Sequence, residues 1–235
     1  MTHQTLPNAV NMPDQTTTET DTTARRSPFR SHPCLAAGES VDYAYDPDKQ
    51  WFVLRASYGR ALQAAQFILN DGTTAWLPQK TIRTFKQLTK GGVPQRQMTM
   101  VPVLANLLFV YATPTTVDHY VRNTPQLPYI SYYYNHFRLN PAGLNPPLTV
   151  NYNDMVNFIR FMQVSNNNTF LVDPQYVRFK TNDPVRIIYG DFQGIEGRVV
   201  RYAGQQRVAL TLQGLCTVLT AYIPTAFIEK ITPDS

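Results

Sequence analysis

The sequence predicts an α+β protein, in which an αβ sandwich with an antiparallel sheet is followed by a small β-barrel. Two segments repeat apolar residues at helical spacing, and aromatic or β-branched runs typical of strands lie around them. After residue 178 the chain holds about five short β-branched runs divided by tight turns. A lone sheet of that size would leave exposed edges, so these runs are expected to close into a barrel.

The chain of 235 residues divides by composition into four regions. Residues 1–47 are rich in Thr, Pro, Asp and Ser and show no hydrophobic period, which predicts a disordered polar tail. Residues 48–164 are predicted to be the first folded domain, 165–177 a linker and 178–232 the barrel. The two folded regions together are long enough to bury a real core.

The first domain begins with a strand, a helix and a second strand. "WFVL" at 51–54 is an apolar strand, and "TAWLP" at 74–78 is the second. Gly72 between them is placed to end the helix in a left-handed conformation. One apolar face of the helix is formed at 3.6-residue spacing by Ala61, Leu62, Ala65, Ile68 and Leu69.

The second half of this domain is predicted as strand, short helix, strand and helix. Residues 98–112 read as one long apolar strand, and "TPTTVDHYVRN" as the short helix. "YISYYYNHF" is a strand dense in aromatic residues. "NYNDMVNFIRFMQV" is the last helix, with Asn153 as its expected N-cap.

The stretch "VRIIYGDFQGIEGRVV", residues 185–200, raises the question of a phosphate-binding loop. Such a loop leads into a helix N-terminus and usually carries Lys followed by Ser or Thr. Here the turn leads into a strand and Lys is missing. Gly190, Gly194 and Gly197 are therefore interpreted as turns and bulges of the barrel, with Phe192 as its plug or on its rim.

Catalytic, metal and membrane chemistry find no support in the sequence. Cys34 and Cys216 stand far apart and the four histidines show no ligand spacing, so no metal site, cofactor or enzyme activity is expected. The start of the chain is polar and no run of about 18 apolar residues occurs, which predicts a cytoplasmic protein.

The positive charge is concentrated in the middle of the chain. Residues 51–164 carry 10 basic and 3 acidic side chains, a net charge of +7, whereas 165–235 carry 7 and 6, a net charge of +1. A protruding hairpin is predicted around "KGG" and holds Lys80, Arg83, Lys86, Lys90 and Arg96 with no acid. It has two interpretations, a hairpin kept soluble by charge or a contact with a nucleic acid backbone.

The apolar strand "VLANLLFV" suggests a protein partner. Its apolar side chains point to both sheet faces, whereas one face of such a sheet is normally polar. Leu108 and Val110 are assigned to the core. Leu104, Leu107 and Phe109 are predicted to form an exposed interface, because an apolar patch of this kind marks a binding surface.

Three features together resemble the NusG family of transcription elongation factors. "VRIIYGDFQGIEGRVVRY" is similar to the KOW motif, "WFVLRASYGRA" to the opening of the NusG N-terminal domain, and "VRNTP" to the segment before that domain's last strand. The barrel sequence further resembles the UpxY group of specialised paralogues, which are similar in role to RfaH. This resemblance covers residues 50–232 and implies a NusG N-terminal domain followed by an SH3-like KOW barrel.

The resemblance implies an antitermination factor acting on specific operons, those for surface polysaccharides, as a cytoplasmic monomer. Leu104, Leu107, Phe109, Ile130 and Tyr133 would bind the clamp helices of the largest RNA polymerase subunit. Lys80, Arg83, Lys86 and Lys90 would face the second polymerase lobe, non-template DNA or nascent RNA. The KOW residues Gly190, Phe192, Gly194 and Gly197 would shape a loop of the barrel, which would bind a second partner such as a ribosomal protein, a termination factor or RNA.

The alternative interpretation is a KOW-type RNA-binding or ribosome-associated protein whose first domain is unrelated to polymerase. It predicts salt-sensitive RNA binding located mainly in residues 165–235. The small net charge of +1 in that region argues weakly against it.

Overall fold

The computed structural model describes residues 44–86, 95–164, 170–172 and 179–231. The predicted polar tail, except for its last residues, and Lys90 of the hairpin lie outside these ranges. Within the described residues the protein is α+β with antiparallel sheets, as the sequence predicts. None of the described helices is long and apolar enough to cross a membrane.

The described residues of the first folded region form seven strands and three α-helices. The helices are α1 (Ala61–Asn70), α2 (Pro114–Arg122) and α3 (Tyr152–Val164). The strands are β1 (Gln50–Ala56), β2 (Thr74–Trp76), β3 (Gln79–Lys86), β4 (Gln95–Pro102), β5 (Leu107–Ala112), β6 (Ile130–Tyr132) and β7 (Thr149–Val150). Five of them form a sheet in the order β2-β5-β1-β6, with β7 also paired to β1, while β3 and β4 form a separate two-stranded sheet.

The two central strands of the five-stranded sheet divide their side chains between two buried faces. β1 and β5 pair antiparallel with Val53 opposite Phe109 and Leu54 opposite Leu108. Directly opposed residues share a face, and the face alternates along each strand. Both faces are apolar because each is covered by helices. The first cluster, with Leu54 and Leu108, packs with α1 and α2, and the second, with Val53 and Phe109, packs with α3.

Helix α3 is fixed to its sheet face by aromatic side chains. The Phe158 ring lies 5.5 Å from the Trp76 ring and 6.1 Å from the Phe109 ring, and Tyr152 lies 5.9 Å from Tyr111. The cap differs from the prediction. Asn151, rather than Asn153, precedes the helix, and its Oδ1 accepts a hydrogen bond of 2.9 Å from the Asn153 backbone N–H.

The long strand predicted for 98–112 is wrong, because the chain breaks it into β4 and β5. Residues 103–106 form a turn in which Asn106 has a φ of 62°. Asparagine tolerates this left-handed backbone better than most residues. The break lets β4 leave the main sheet and pair with β3, while β5 enters the core.

The second folded region is a six-stranded antiparallel sheet in the order β13-β9-β10-β11-β12-β8. The prediction was about five strands; the additional one, β8, comes from residues predicted as linker. Its strands are β8 (Phe170–Val172), β9 (Phe179–Ile187), β10 (Glu196–Tyr202), β11 (Gln205–Leu212), β12 (Cys216–Leu219) and β13 (Ile228–Lys230).

This C-terminal sheet shares a hydrophobic core with the first region. Phe161 of α3 lies 5.5 Å from Phe192, ring centroid to ring centroid. One cluster of buried side chains contains Phe109 of β5, Phe158 and Phe161 of α3, and Leu210 of β11. Helix α3 is therefore covered on two sides, by the five-stranded sheet and by the C-terminal sheet.

Candidate partner-binding surfaces

The five residues predicted to bind polymerase do not form one exposed face. Phe109 is fully buried and Leu104 is buried, both in the cluster around α3. Ile130 is buried on the opposite side of the sheet, in the cluster around α1 and α2. The prediction of a single exposed patch is wrong, because α3 and the C-terminal sheet cover the face that the sequence left without a partner.

Leu107 and Tyr133 are the two members of that set that reach the surface. Both are half-buried and line a groove of about 350 Å³ at the end of β1 and the start of β5. The groove lies where the α3 face of the sheet continues past Phe109 toward the start of β5, since Leu107 precedes Phe109 by two residues and opposes Arg55 of β1. Its remaining lining residues are Arg55, Ala56, Ser57, Tyr58, Ala105 and Asn106.

The backbone around the groove is held in an uncommon conformation. Tyr58 has a φ of 58° and Asn106 a φ of 62°, and Gly59 follows at 68°. The Ala56 N–H donates a hydrogen bond of 2.8 Å to the Asn106 carbonyl oxygen, which joins the end of β1 to the turn before β5. A left-handed residue other than glycine costs roughly 1–2 kcal/mol. The Tyr58 side chain is exposed, so it makes little packing contact that would offset this strain.

Tyr58 is the most exposed aromatic side chain among the described residues, with 89% of its surface accessible. Strained backbone and a large exposed ring coincide at Tyr58, which makes this residue a candidate for a functional position. The guanidinium of Arg55 lies 5.6 Å from the centroid of the Tyr133 ring and adds a positive charge at the groove.

Sequence reasoning missed Arg55, Tyr58 and Asn106. "RASYGRA" contains the one available signal, a tyrosine directly before a glycine at a strand end, which is interpreted above as the start of a helix and as part of the resemblance to NusG proteins. The left-handed φ of Tyr58 and its exposure are properties of the folded chain, so neither is readable from residue type alone.

The basic hairpin is present as the separate ribbon of β3 and β4. Lys80 and Arg83 are exposed, but they stand on opposite faces because they are three residues apart on one strand. Lys86 ends β3. At the base of the ribbon the Val103 N–H donates a 2.8 Å hydrogen bond to the Pro78 carbonyl oxygen.

The glycine-rich segment forms a turn between β9 and β10. Gly190 and Gly194 have φ values of 88° and 84°, which glycine adopts without strain. Gly197 has an ordinary backbone, but a Cβ added there would lie 2.5 Å from the Ala209 carbonyl oxygen of β11. The interpretation of these glycines as turn and close-approach residues fits the geometry.

Phe192 lies within this turn but is not on an open rim. Only 7% of its side chain is accessible, and its ring packs against Phe161. In this conformation a partner that binds near the turn therefore cannot contact the buried ring of Phe192.

A second cleft, of about 870 Å³, lies between the loop after β6 and the C-terminal sheet. Leu104 and Tyr133 contribute to it from the first region, and Leu171, Leu215 and Cys216 from the second. Burial raises the pKa of the Cys216 thiol to about 12, so this sulfur is protonated and unreactive at neutral pH.

No protein-family model matches the chain, and no curated protein sequence matches it significantly.

Proposed function

We propose that the protein is a NusG-like transcription elongation and antitermination factor, nearest to the UpxY paralogues, that binds RNA polymerase and suppresses pausing and termination in specific operons. Its first region would be the polymerase-binding domain, and its C-terminal sheet the KOW barrel. The partner would be the clamp helices of the largest polymerase subunit. The groove lined by Tyr58, Asn106, Leu107 and Tyr133 would receive them.

The observation that carries this proposal is the exposed, strained Tyr58 beside a groove of mixed character. Its lining combines an aromatic ring, an aliphatic side chain and the positive charge of Arg55. Tyrosine and arginine are the residues most enriched at energetic centres of protein interfaces. Such a groove suits an amphipathic helix that carries an apolar anchor and an acidic residue.

The architecture gives a second line of support. An α+β region with a protruding basic ribbon is followed by a small antiparallel sheet, in which Gly190 and Gly194 lie in the turn between β9 and β10 and Gly197 lies in β10. This order and these glycines are what the resemblance to NusG proteins implies. The resemblance to NusG proteins implies the partner, the clamp helices of polymerase, and the groove is the surface proposed to bind them.

Such a factor needs binding free energy rather than catalysis. Polymerase would alternate between an open and a closed clamp, and a ligand shifts that equilibrium by the difference in its affinity for the two states. A preference of about 2 to 3 kcal/mol changes the ratio of the states by roughly 30- to 150-fold. A groove on the first region and a second contact through the ribbon would together provide that preference.

The test is the affinity of the full chain for purified RNA polymerase, measured for Tyr58→Ala. We expect binding to weaken about tenfold or more, because an exposed aromatic anchor contributes about 2 kcal/mol at an interface centre. The substitution removes no buried contact, so the free energy of unfolding should stay within about 0.5 kcal/mol of the wild-type value.

Tyr222→Ala is the matched control, since Tyr222 is also exposed, at 56%, but lies in the C-terminal region. It should bind polymerase like the wild-type chain. If Tyr58→Ala binds polymerase as tightly as the wild-type chain, the groove is not the polymerase-binding site. Failure of the wild-type chain to bind polymerase would overturn the function itself and favour the RNA- or ribosome-associated alternative.

A further inference from the structure

The cleft between the loop after β6 and the C-terminal sheet has two walls of different chemistry. One wall is the loop, whose residues 135–138 all line the cleft. The other wall is formed by Leu171 and Val172 of β8 and by Leu215 of the turn between β11 and β12. Its volume of about 870 Å³ lies within the range of about 300–1,000 Å³ that small-molecule sites occupy. We call this cavity the loop–sheet cleft.

The loop wall is held in place by hydrogen bonds around Asn135. The Asn135 N–H donates to the Pro146 carbonyl oxygen at 2.8 Å, and Asn145 Nδ2 donates to the Asn135 carbonyl oxygen at 2.9 Å. The Phe137 N–H donates to Asn135 Oδ1 at 2.9 Å. A wall that is ordered before a ligand arrives lowers the entropy cost of binding, because few side chains have to be fixed on association.

Apolar side chains line both walls of the loop–sheet cleft. Phe137 is 80% accessible on the loop wall, and Leu171 is 46% accessible on the sheet wall. Leu104 and Cys216, which also line the cleft, are buried. Burial raises the pKa of the Cys216 thiol to about 12, and a protonated thiol behaves as a small apolar group. An apolar ligand here would remove the exposed surface from water, which is favourable in proportion to the area covered.

The charged groups of the cleft are all on the loop wall and have one sign. His136 and Arg138 are exposed and two residues apart, and none of the described residues that line the cleft is acidic. Arginine is always positively charged and presents N–H donors in a fork that fits a carboxylate or a phosphate. Apolar side chains on both walls with cations on one loop match a ligand that carries its negative charge at one end.

A second cavity touches the same loop but suits an anion less well. It has a volume of about 910 Å³ and lies beside α2, and Asn135 and Arg138 line both cavities. Its lining includes the carboxylate of Asp118, which forms a 2.6 Å salt bridge with Arg122. Because a carboxylate repels an anion, the loop–sheet cleft is the better site of the two for an anionic ligand.

We propose that the loop–sheet cleft binds an amphiphile with one anionic head group, a carboxylate or a phosphate monoester, and a linear hydrocarbon chain. The head group would contact Arg138 and His136, and the chain would lie between Phe137 and Leu171. This inference goes beyond the proposed function, since the ligand is a small molecule and its binding does not require polymerase.

The experiment measures binding of laurate and of dodecyl phosphate to the full chain by isothermal titration calorimetry, below the micelle concentration of each. We expect saturable binding of one molecule per chain, with a negative heat-capacity change because apolar surface is buried. Dodecyltrimethylammonium has the same hydrocarbon chain with a cationic head group, and it should bind about tenfold more weakly or worse. The two anionic probes distinguish a fatty acid from a lipid phosphate, and tighter binding of either supports the shared chemistry.

Three substitutions of exposed residues locate the site. Arg138→Gln should weaken binding of the preferred anionic probe about tenfold or more, because it removes a charge-assisted hydrogen bond. Leu171→Glu should weaken it by a similar factor, since it places a carboxylate in the cleft. Phe137→Ala should weaken it about fivefold through lost apolar contact. Arg201→Gln is the matched control, because Arg201 is an exposed arginine of β10 that does not line the cleft, and it should bind like the wild-type chain.

Circular dichroism and urea unfolding of each variant keep a folding defect apart from a binding defect. The inference is wrong if neither anionic probe binds, if the cationic probe binds as tightly, or if Phe137→Ala and Leu171→Glu both keep wild-type affinity. An effect of Arg138→Gln alone would place the anion in the cavity beside α2 and would also overturn it.

A second copy of the chain is the competing occupant of the loop–sheet cleft. A dimer that dissociates in Phe137→Ala, measured by analytical ultracentrifugation, would show that protein covers the cleft and would contradict the proposal. A monomer that binds laurate or dodecyl phosphate supports it. Because polymerase is absent from these measurements, their failure would leave the Tyr58 groove and the proposed function unaffected.

Discussion

Strand β5 and the β3–β4 ribbon were both predicted from sequence to be partner surfaces, but the fold buries the first and leaves the second exposed. Phe109 of β5 is fully buried between Trp76 and Phe158. Phe85 of β3 is 69% accessible. The two phenylalanines stand on strands of similar length, about 25 residues apart in the chain. The difference lies in which other elements reach them.

The comparison teaches that apolar content does not identify an exposed surface. The apolar strand needs a cover on both sheet faces, and α3 with the C-terminal sheet provides the second one. The ribbon also carries large apolar side chains, Phe85, Met98 and Met100, but it leaves the main sheet at Pro78 and returns at Val103, so they stay exposed. Three predictions address this contrast, from the largest expected effect to the smallest.

Alanine substitution of Phe109 and of Phe85 should give the largest difference in free energy of unfolding between the two regions. Phe109→Ala should lower the free energy of unfolding by about 3–5 kcal/mol, because it leaves a cavity in the shared core. Phe85→Ala should change it by no more than about 0.5 kcal/mol, since an exposed side chain loses few contacts. Urea unfolding followed by tryptophan fluorescence measures both. Similar losses in the two variants would contradict the contrast.

The contact between Phe161 and Phe192 tests whether the C-terminal sheet covers α3. Alanine substitutions at both positions should be coupled by about 0.5–1.5 kcal/mol in a double-mutant cycle, the range for aromatic pairs. Phe161 with Phe85 is the control pair and should be additive within about 0.5 kcal/mol. Additivity of Phe161 and Phe192 would mean that the two regions do not pack together in solution.

Thiol labelling compares the buried C-terminal sheet, which holds Cys216, with the exposed ribbon, and it requires no substitution in the core. In a Cys34→Ser background, Cys216 should not react with iodoacetamide at about pH 8, because a pKa near 12 leaves roughly a thousandfold less thiolate than an ordinary cysteine has. Met98→Cys on the ribbon should label at the rate of a free thiol, since Met98 is exposed. Rapid labelling of native Cys216, measured by mass spectrometry, would show that the C-terminal sheet opens.

Local sequence patterns predicted much of the fold. The helix after Gly59, its stop at Gly72 with a φ of 84°, and the turn at Gly190 and Gly194 all occur. These features depend on periodicity and on backbone freedom, which are properties of neighbouring residues. The strand break at Asn106 was missed because asparagine in an apolar run gives only a weak turn signal.

The site was predicted less well than the fold. Leu107 and Tyr133 line the groove, whereas Leu104, Phe109 and Ile130 are buried. A strand's alternation tells which residues share a face, but not which face a distant helix covers. Tyr58 was missed since its exposure and its left-handed backbone are properties of the folded chain and not of its residue type.

The sequence by itself determined the α+β class, the acid-free ribbon and the glycine turn, because each depends on residues close together in the chain. Only the tertiary structure decided that α3 and the C-terminal sheet cover Phe109 while Phe85 and Tyr58 stay in solvent. Burial is set by contacts between segments distant in sequence, and the free energy of those contacts depends on packing that no local pattern encodes.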